Sequence, residues 1–269
     1  MQGVLSNRSV LNIAGEDARA FLQGLVTQDV LHVTPGQGVF SALLTPQGKI
    51  LFDFFLAPHA EGFFMDCRQS AAPALQKRLM MYKLRAKATI TIEDDLAVMV
   101  GVGACAGCVT SFPDPRLSGL PHRTIMKKAD ARPADADYDA LRISLGVPEF
   151  GADFDSEEVF ALDVNYDALS AVSYKKGCFV GQEVTSRMKR KGEVRKRTLI
   201  AAFDGPHPSK GAAAVAGDAQ IGEILSGCGD AALALVRTDR LNEARQAGIE
   251  PSIDGRKVRF SFPAYLERL

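Results

Sequence analysis

The chain has 269 residues, 46% apolar and 24% charged, the composition of a soluble globular protein of about two or three domains, which excludes disorder, collagen and coiled coil. Lys and Arg together number 32 and Asp and Glu 32, so no whole-chain field directs the protein to nucleic acid or membrane, and any charged site must be local. The charge-free run Leu96 to Pro113 holds three glycines and falls short of the roughly 20 residues of a spanning helix. Met1 to Ala14 lacks the apolar core of a secretory leader, and the expected compartment is the cytoplasm.

In chain order, Gly15 to Val30 sets Ala18, Phe21, Leu22, Leu25 and Val26 at helical spacing behind Glu16 and Asp17, which predicts an amphipathic helix. Val39 to Leu44 and Lys49 to Ala57 read as strands joined by the turn Thr45-Pro46-Gln47-Gly48. Ser70 is placed to cap a helix with Pro73 in its first turn and Ala72, Leu75, Leu79 and Tyr82 on one face. Strands at Ala88 to Ile92 and Leu96 to Val102 complete an α+β unit. The Ala/Asp/Pro-rich stretch from Asp130 to Asp139 reads as a linker or crossing loop and a boundary. Short apolar runs at Thr198 to Phe203, Ala219 to Leu225, Ala231 to Val236 and Lys257 to Phe262 predict a small β-barrel.

The densest chemistry is Lys175-Lys176-Gly177-Cys178-Phe179-Val180-Gly181-Gln182-Glu183. Two glycines bracketing a cysteine allow a tight backbone that presents the thiol, and two lysines upstream would raise its thiolate fraction. The bland reading is a small buried hydrophobe in a turn. Downstream, Arg187, Lys189, Arg190, Lys191, Arg195, Lys196 and Arg197 face only Glu193, a cluster suited to phosphate or polycarboxylate or else a solvated loop leading into a strand. It carries no interleaved aromatic residue, which weakens a single-stranded nucleic-acid reading. Asp53 sits in the apolar run Ile50 to Leu56, where a carboxylate needs a partner, a proton or a site; the alternative is an edge-strand residue facing solvent. Gly101-Val102-Gly103-Ala104-Cys105-Ala106 formally fits a dinucleotide fingerprint, but Pro113 and Pro115 leave little room for the helix it requires. Cys105 and Cys108 form a lone Cys-x-x-Cys without further ligands, and the four histidines are scattered, so no metal site is expected. Five cysteines in a chain of this size argue against a disulfide framework.

Lys176-Gly177-Cys178-Phe179-Val180-Gly181-Gln182-Glu183 resembles the Lys-Gly-Cys-(Tyr/Phe)-x-Gly-Gln-Glu signature of the YgfZ family, folate-binding proteins that support iron-sulfur enzymes and are related to the glycine-cleavage T-protein. Further segments agree in order: Gly15 to Ala18, Phe21 to Gly24 and Thr27 to Val30; Gly48 to Ile50 with Asp53; Asp114-Pro115-Arg116 with Arg123; and Leu141 to Ile143 with Gly146 to Glu149. The resemblance implies an α+β, three-domain T-protein/YgfZ-like ring. Its first folate-binding domain would comprise 1–49 and 138–195, a ferredoxin-like second domain 50–137 and a C-terminal small β-barrel 196–269. It also implies tetrahydrofolate, possibly polyglutamylated, as cofactor, with Cys178 and Asp53 as the chemical residues. Asp53, Lys176, Gly177, Cys178, Phe179, Gly181, Gln182, Glu183, Arg190 and Arg195 would contact the cofactor, Asp53 on or beneath the wall of a folate-sized cavity. Implied partners are folate and iron-sulfur enzymes or their assembly factors, with no stable nucleic acid, no membrane and a monomeric state.

T-proteins carry two adjacent aspartates where this chain has Phe52-Asp53, and their Gly-Tyr-Thr-Gly-Glu segment has no counterpart here, so ordinary aminomethyl transfer is not the first expectation. Three readings result: a folate-binding accessory protein for iron-sulfur cluster assembly or repair, a folate-dependent one-carbon transferase or demethylase, and, last, an RNA-binding module using Arg187 to Arg197.

Overall fold

The computed structural model describes residues 2–101, 103, 107–128, 132–192 and 194–268, apart from the side chains of Lys191, Glu267 and Arg268. Val102, Ala104, Cys105 and Ala106 of the glycine-rich segment, together with Asp130 and Glu193, lie outside them. The chain divides into two compact units, residues 1–138 with 169–182, and 139–168 with 183–269.

The first unit opens with β1 (Gly3–Val4), β2 (Arg8–Ala14) and α1 (Ala18–Gln23), followed by the hairpin β3 (Val39–Leu44) and β4 (Ile50–His59), then β5 (Gly62–Arg68). α2 (Ala72–Lys83), β6 (Thr89–Ile92), β7 (Leu96–Gly101), β8 (Cys108–Phe112) and β9 (His122–Lys127) complete its strands and helices. One sheet has the order β3-β4-β5-β2-β6 and the other β1-β7-β9-β8. Strands from both sides of residue 49 share the first sheet, and β1 joins the second, so the domain boundary expected at 49/50 falls inside the β3–β4 hairpin. Every residue of β4 except His59 is buried, which accounts for the near-continuous apolar run in its sequence.

Two local expectations are corrected. The amphipathic helix expected to run to Val30 stops at Gln23. Val26 instead bridges Leu43, and the Thr27 amide donates to Ala42 O at 2.9 Å while the Ala42 amide donates to the Thr27 hydroxyl at 2.9 Å; pairing with β3 satisfies these backbone groups and buries Val26 as well as a helix would. Ser70 does not cap α2. It lies in a 3₁₀ turn, Gln69–Ala71, and the helix begins behind Ala71 without a side-chain cap, its first turn set by Pro73, whose φ is already helical.

In the second unit α3 (Asp135–Ser144) crosses from the first unit, and α4 (Gln182–Lys191) precedes β10 (Lys196–Ala202). β11 (Ala213–Ala216), β12 (Ala219–Cys228), β13 (Ala231–Arg237), α5 (Thr238–Gln246), β14 (Ser252–Ile253), β15 (Arg256–Lys257) and β16 (Arg259–Ser261) follow. The stretch read as a linker therefore becomes helical from Asp135, with Asp135 and Asp137 in the favourable first turn and Tyr138 buried. The seven strands have the order β15-β14-β11-β12-β13-β10-β16. Because the two outer strands are separated in sequence by Val258 alone, the sheet curls into a nearly closed barrel around Leu199, Ala201, Ile221, Ile224, Val236 and Phe260. Between Ile224 and Gly227 the β12–β13 register shifts. This bulge releases the Ser226 amide from the ladder, and Asp153 Oδ1 accepts it at 3.0 Å, while Arg142 reaches Asp153 Oδ2 at 2.6 Å and Ser226 Oγ at 3.0 Å.

Candidate functional site

The site is assembled in the first unit around Thr27, at the point where the chain leaves α1 and runs beside β3. The Thr27 hydroxyl donates to Ala171 O at 2.6 Å and accepts the Ala42 amide at 2.9 Å. The Ser173 amide reaches Thr27 O at 3.0 Å, and Gln28 Nε2 reaches Ser170 O at 2.6 Å. A segment without helix or strand, residues 170–181, is thereby fastened to the edge of the first sheet.

Lys176 is the second fastening. Its ammonium is buried and donates to Val26 O at 2.6 Å and Gln28 O at 2.9 Å, with the Phe179 ring 5.6 Å away. Burial lowers its pKa to about 8, and the charge of Asp29 opposes the shift. The sequence assigned this lysine to activating the neighbouring thiol; the structure instead directs its donors to two backbone carbonyls, because an ammonium withdrawn from water needs acceptors more than the thiol needs a cation.

Gly181 is the third. Its φ is +80°, and a Cβ there would stand 2.6 Å from Thr45 O and 3.2 Å from the Cα of Gly48, so only glycine lets the loop close on the β3–β4 turn. Between these fastenings Gly177 and Cys178 are exposed while Phe179 is buried as an anchor. A Cβ on Gly177 would meet nothing within 4 Å. The loop thus holds its ends and presents the thiol.

Asp53 lies on β4 opposite Ala42, the residue whose amide Thr27 holds. Its exposure is 2%, which excludes the solvent-facing edge position. By strand alternation it shares a sheet face with Phe55 and, across the ladder, with Asp66. That face carries a buried ion network. Asp66 binds Arg8 Nε at 2.6 Å and Arg123 Nη2 at 2.7 Å; Asp114 holds Arg116 bidentately at 3.0 and 2.7 Å; Tyr138 accepts from Arg116 at 2.5 Å. Arg123 and Arg116 stack on Phe55 at 3.9 and 4.7 Å. Cys67, buried beside Asp66, has its thiol pushed up to about 12, chiefly by burial, with Asp66 and Asp53 adding to the effect against Arg8. A cleft of about 560 Å³ opens nearby and includes Asp29, His32, Val33, Gly38 and Pro115 in its lining; Asp53 does not line it.

Of the residues expected in the site, Lys176, Gly177, Cys178, Phe179 and Gly181 lie on the fastened loop, while Asp53 lies on β4 opposite Ala42. Gln182, whose amide bonds Phe179 O at 3.2 Å, closes the loop and opens α4, with Glu183 exposed in the helix's first turn. Arg190 and Arg195 belong to the second unit and are exposed. Much of the basic cluster lies on a helix rather than the loop of the bland reading. Two of its cations are engaged by the buried carboxylate of Asp167: Arg197 at 2.5 Å and Lys189 at 3.3 Å. Sequence reasoning missed Thr27 and Asp29 as site residues, though Thr27 to Val30 already stood among the segments carrying the resemblance. Among the described residues no cluster of three or more metal-ligating side chains is present, and no helix is long and apolar enough to cross a membrane.

Comparison with known proteins agrees with this architecture. Residues 195–268 match the C-terminal β-barrel domain of CAF17. The chain is 29% identical over 291 residues to the mitochondrial iron-sulfur cluster assembly factor IBA57 homolog of Pyricularia oryzae, covering 92% of this chain and 74% of that protein. To human mitochondrial IBA57 it is 28% identical, covering 88% and 77%. Among solved structures, the glycine cleavage system aminomethyltransferase T of Bartonella henselae superposes with a TM-score of 0.70 at 16% identity over 98% of this chain and 84% of that one. The fold is therefore the T-protein-like α+β arrangement with a C-terminal barrel, as the resemblance implied. The expectation of a cytoplasmic protein is corrected: these relatives are mitochondrial, and the lack of an apolar core within residues 1–14, on which the expectation rested, does not specify a compartment.

Proposed function

We propose that this protein is a tetrahydrofolate-binding accessory factor of the YgfZ kind that supports assembly or repair of iron-sulfur cluster enzymes, tRNA-modifying ones among them. The supporting observation is the Cys178 loop, which is tied down by Lys176 and Gly181 on either side of an exposed thiol. An enzyme nucleophile working on a buried substrate would sit inside its pocket; a thiol offered outward on a fixed loop suits a macromolecular partner or a cluster in transit. Similarity to IBA57 assembly factors supports the same reading.

Folate follows from the resemblance: within the first unit the buried Asp53 would supply a carboxylate for the N–H edge of a pterin, and in the second unit Arg190 and Arg195 are exposed cations of the kind that meet carboxylates. Bound folate would contribute a one-carbon carrier; the chain's own part is to hold it and keep the Cys178 loop in register. The T-protein-like fold keeps one-carbon transfer as a second reading, with Asp53 positioning an amine.

The test is the activity of iron-sulfur enzymes in cells lacking the protein, restored by wild type or by Cys178→Ala. Rescue by wild type alone supports the accessory role. Equal rescue by both removes Cys178 from it, and formaldehyde or methylene-folate formation by the purified protein moves the assignment to one-carbon chemistry.

A further inference from the structure

α2 buries Ala72, Leu75 and Leu79 against the first sheet, and Gln76 ties it to Ile90 O at 2.9 Å. Its opposite side, at the C-terminal half, is apolar as well. Met80 and Met81 are 57% and 61% exposed, and Leu84, just past the helix end, is 87% exposed. Met80 and Met81 lie about one turn beyond Lys77 on the same side of α2, and Leu84 follows at its C-terminal end. Leu84 also holds φ +46°, an unfavourable conformation for a bulky side chain.

Charge is segregated around this stripe. From Gln69 to Ile92 the chain has five cations, Lys77, Arg78, Lys83, Arg85 and Lys87, and no acidic residue. The net charge of zero averages this segment away. Lys87 is matched by Glu16 at 2.8 Å, which leaves four cations flanking the methionines.

We propose that the C-terminal half of α2 is a docking surface for an anionic lipid headgroup layer. The stripe sits at an exposed helix end, and its three apolar side chains are far fewer than the roughly 20–30 residues a side of a stable protein interface. A headgroup layer requires no matching shape: methionine and leucine enter its outer part while the flanking cations meet the phosphates.

Flotation of the full chain with phosphatidylcholine vesicles, and with vesicles containing phosphatidylglycerol as well, tests this. The wild type should float with the anionic vesicles alone. Met81→Gln with Leu84→Gln should abolish most of that binding. Lys77→Gln with Arg85→Gln should weaken it about tenfold or more, since each cation is worth roughly a fivefold change at such a surface. All four positions are exposed, and an unchanged circular dichroism spectrum confirms folding. Wild type left in the pellet with anionic vesicles, or variants that float as well as wild type, would overturn the proposal, the first result favouring an acidic protein surface as the occupant.

Discussion

The ion network beneath Asp53 and the loop around Cys178 are attached to the same sheet, yet they handle polar groups in opposite ways. On the Asp53 side of the sheet several charges are buried together on shared carboxylates: Arg8 and Arg123 on Asp66, Arg116 on Asp114. In the loop a single charge, the Lys176 ammonium, is buried on backbone carbonyls so that its neighbours Gly177 and Cys178 can stay outside. Rigidity in the first case comes from ion pairs whose loss strands a partner. In the second it comes from a few hydrogen bonds and one close glycine contact.

That contrast orders the consequences of substitution. Asp66→Ala leaves two buried guanidiniums without their carboxylate and should cost about 3–5 kcal/mol, read as a lower urea midpoint. Gly181→Ala forces a Cβ toward Thr45 O in a left-handed conformation and should cost about 1–3 kcal/mol, whereas Gly177→Ala, with open space around it, should stay within about 0.5 kcal/mol. Equal losses for the two glycines would refute the fastening assigned to Gly181.

Lys176→Met removes the donors to Val26 O and Gln28 O and should cost about 1–3 kcal/mol near neutral pH. The pH dependence has a defined sign. Folded Lys176 titrates at about 8 against the usual 10.5, so between those values the unfolded chain binds the extra proton and wild-type stability rises with pH relative to the variant. Urea titrations of both proteins at about pH 7 and about pH 10 measure that difference; a gap that narrows with rising pH contradicts it. Smallest of all, Cys178→Ser should leave stability within about 0.5 kcal/mol while removing iron-sulfur support. In the native protein iodoacetamide should label Cys178 well before Cys67, whose thiol is buried and pushed up to about 12.

The signature from Lys176 to Glu183, the buried aspartate in an apolar strand, the β3–β4 hairpin and the barrel strands were all legible in the sequence, because each depends on local turn chemistry or on a short apolar period. Asp53 illustrates the limit: the cost of burying a carboxylate marked it as unusual, but the ion network on its side of the sheet, in which Asp66 and Asp114 hold Arg123 and Arg116 from distant segments, is invisible to periodicity. The Arg187 to Arg197 cluster illustrates another, since its charge count was plain while the removal of Arg197 and Lys189 by Asp167 depended on contacts 22 and 30 residues apart.

Sequence by itself determined which residues can turn tightly, which strands must be buried and where a glycine-bracketed thiol lies, since these follow from each residue's own backbone freedom and side-chain polarity. Only the tertiary structure decided what Lys176 does. It also decided that the chain after Gln23 abandons its helical period to pair with β3. Both outcomes are set by buried backbone groups that must find partners, and those partners come from parts of the chain up to 150 residues away.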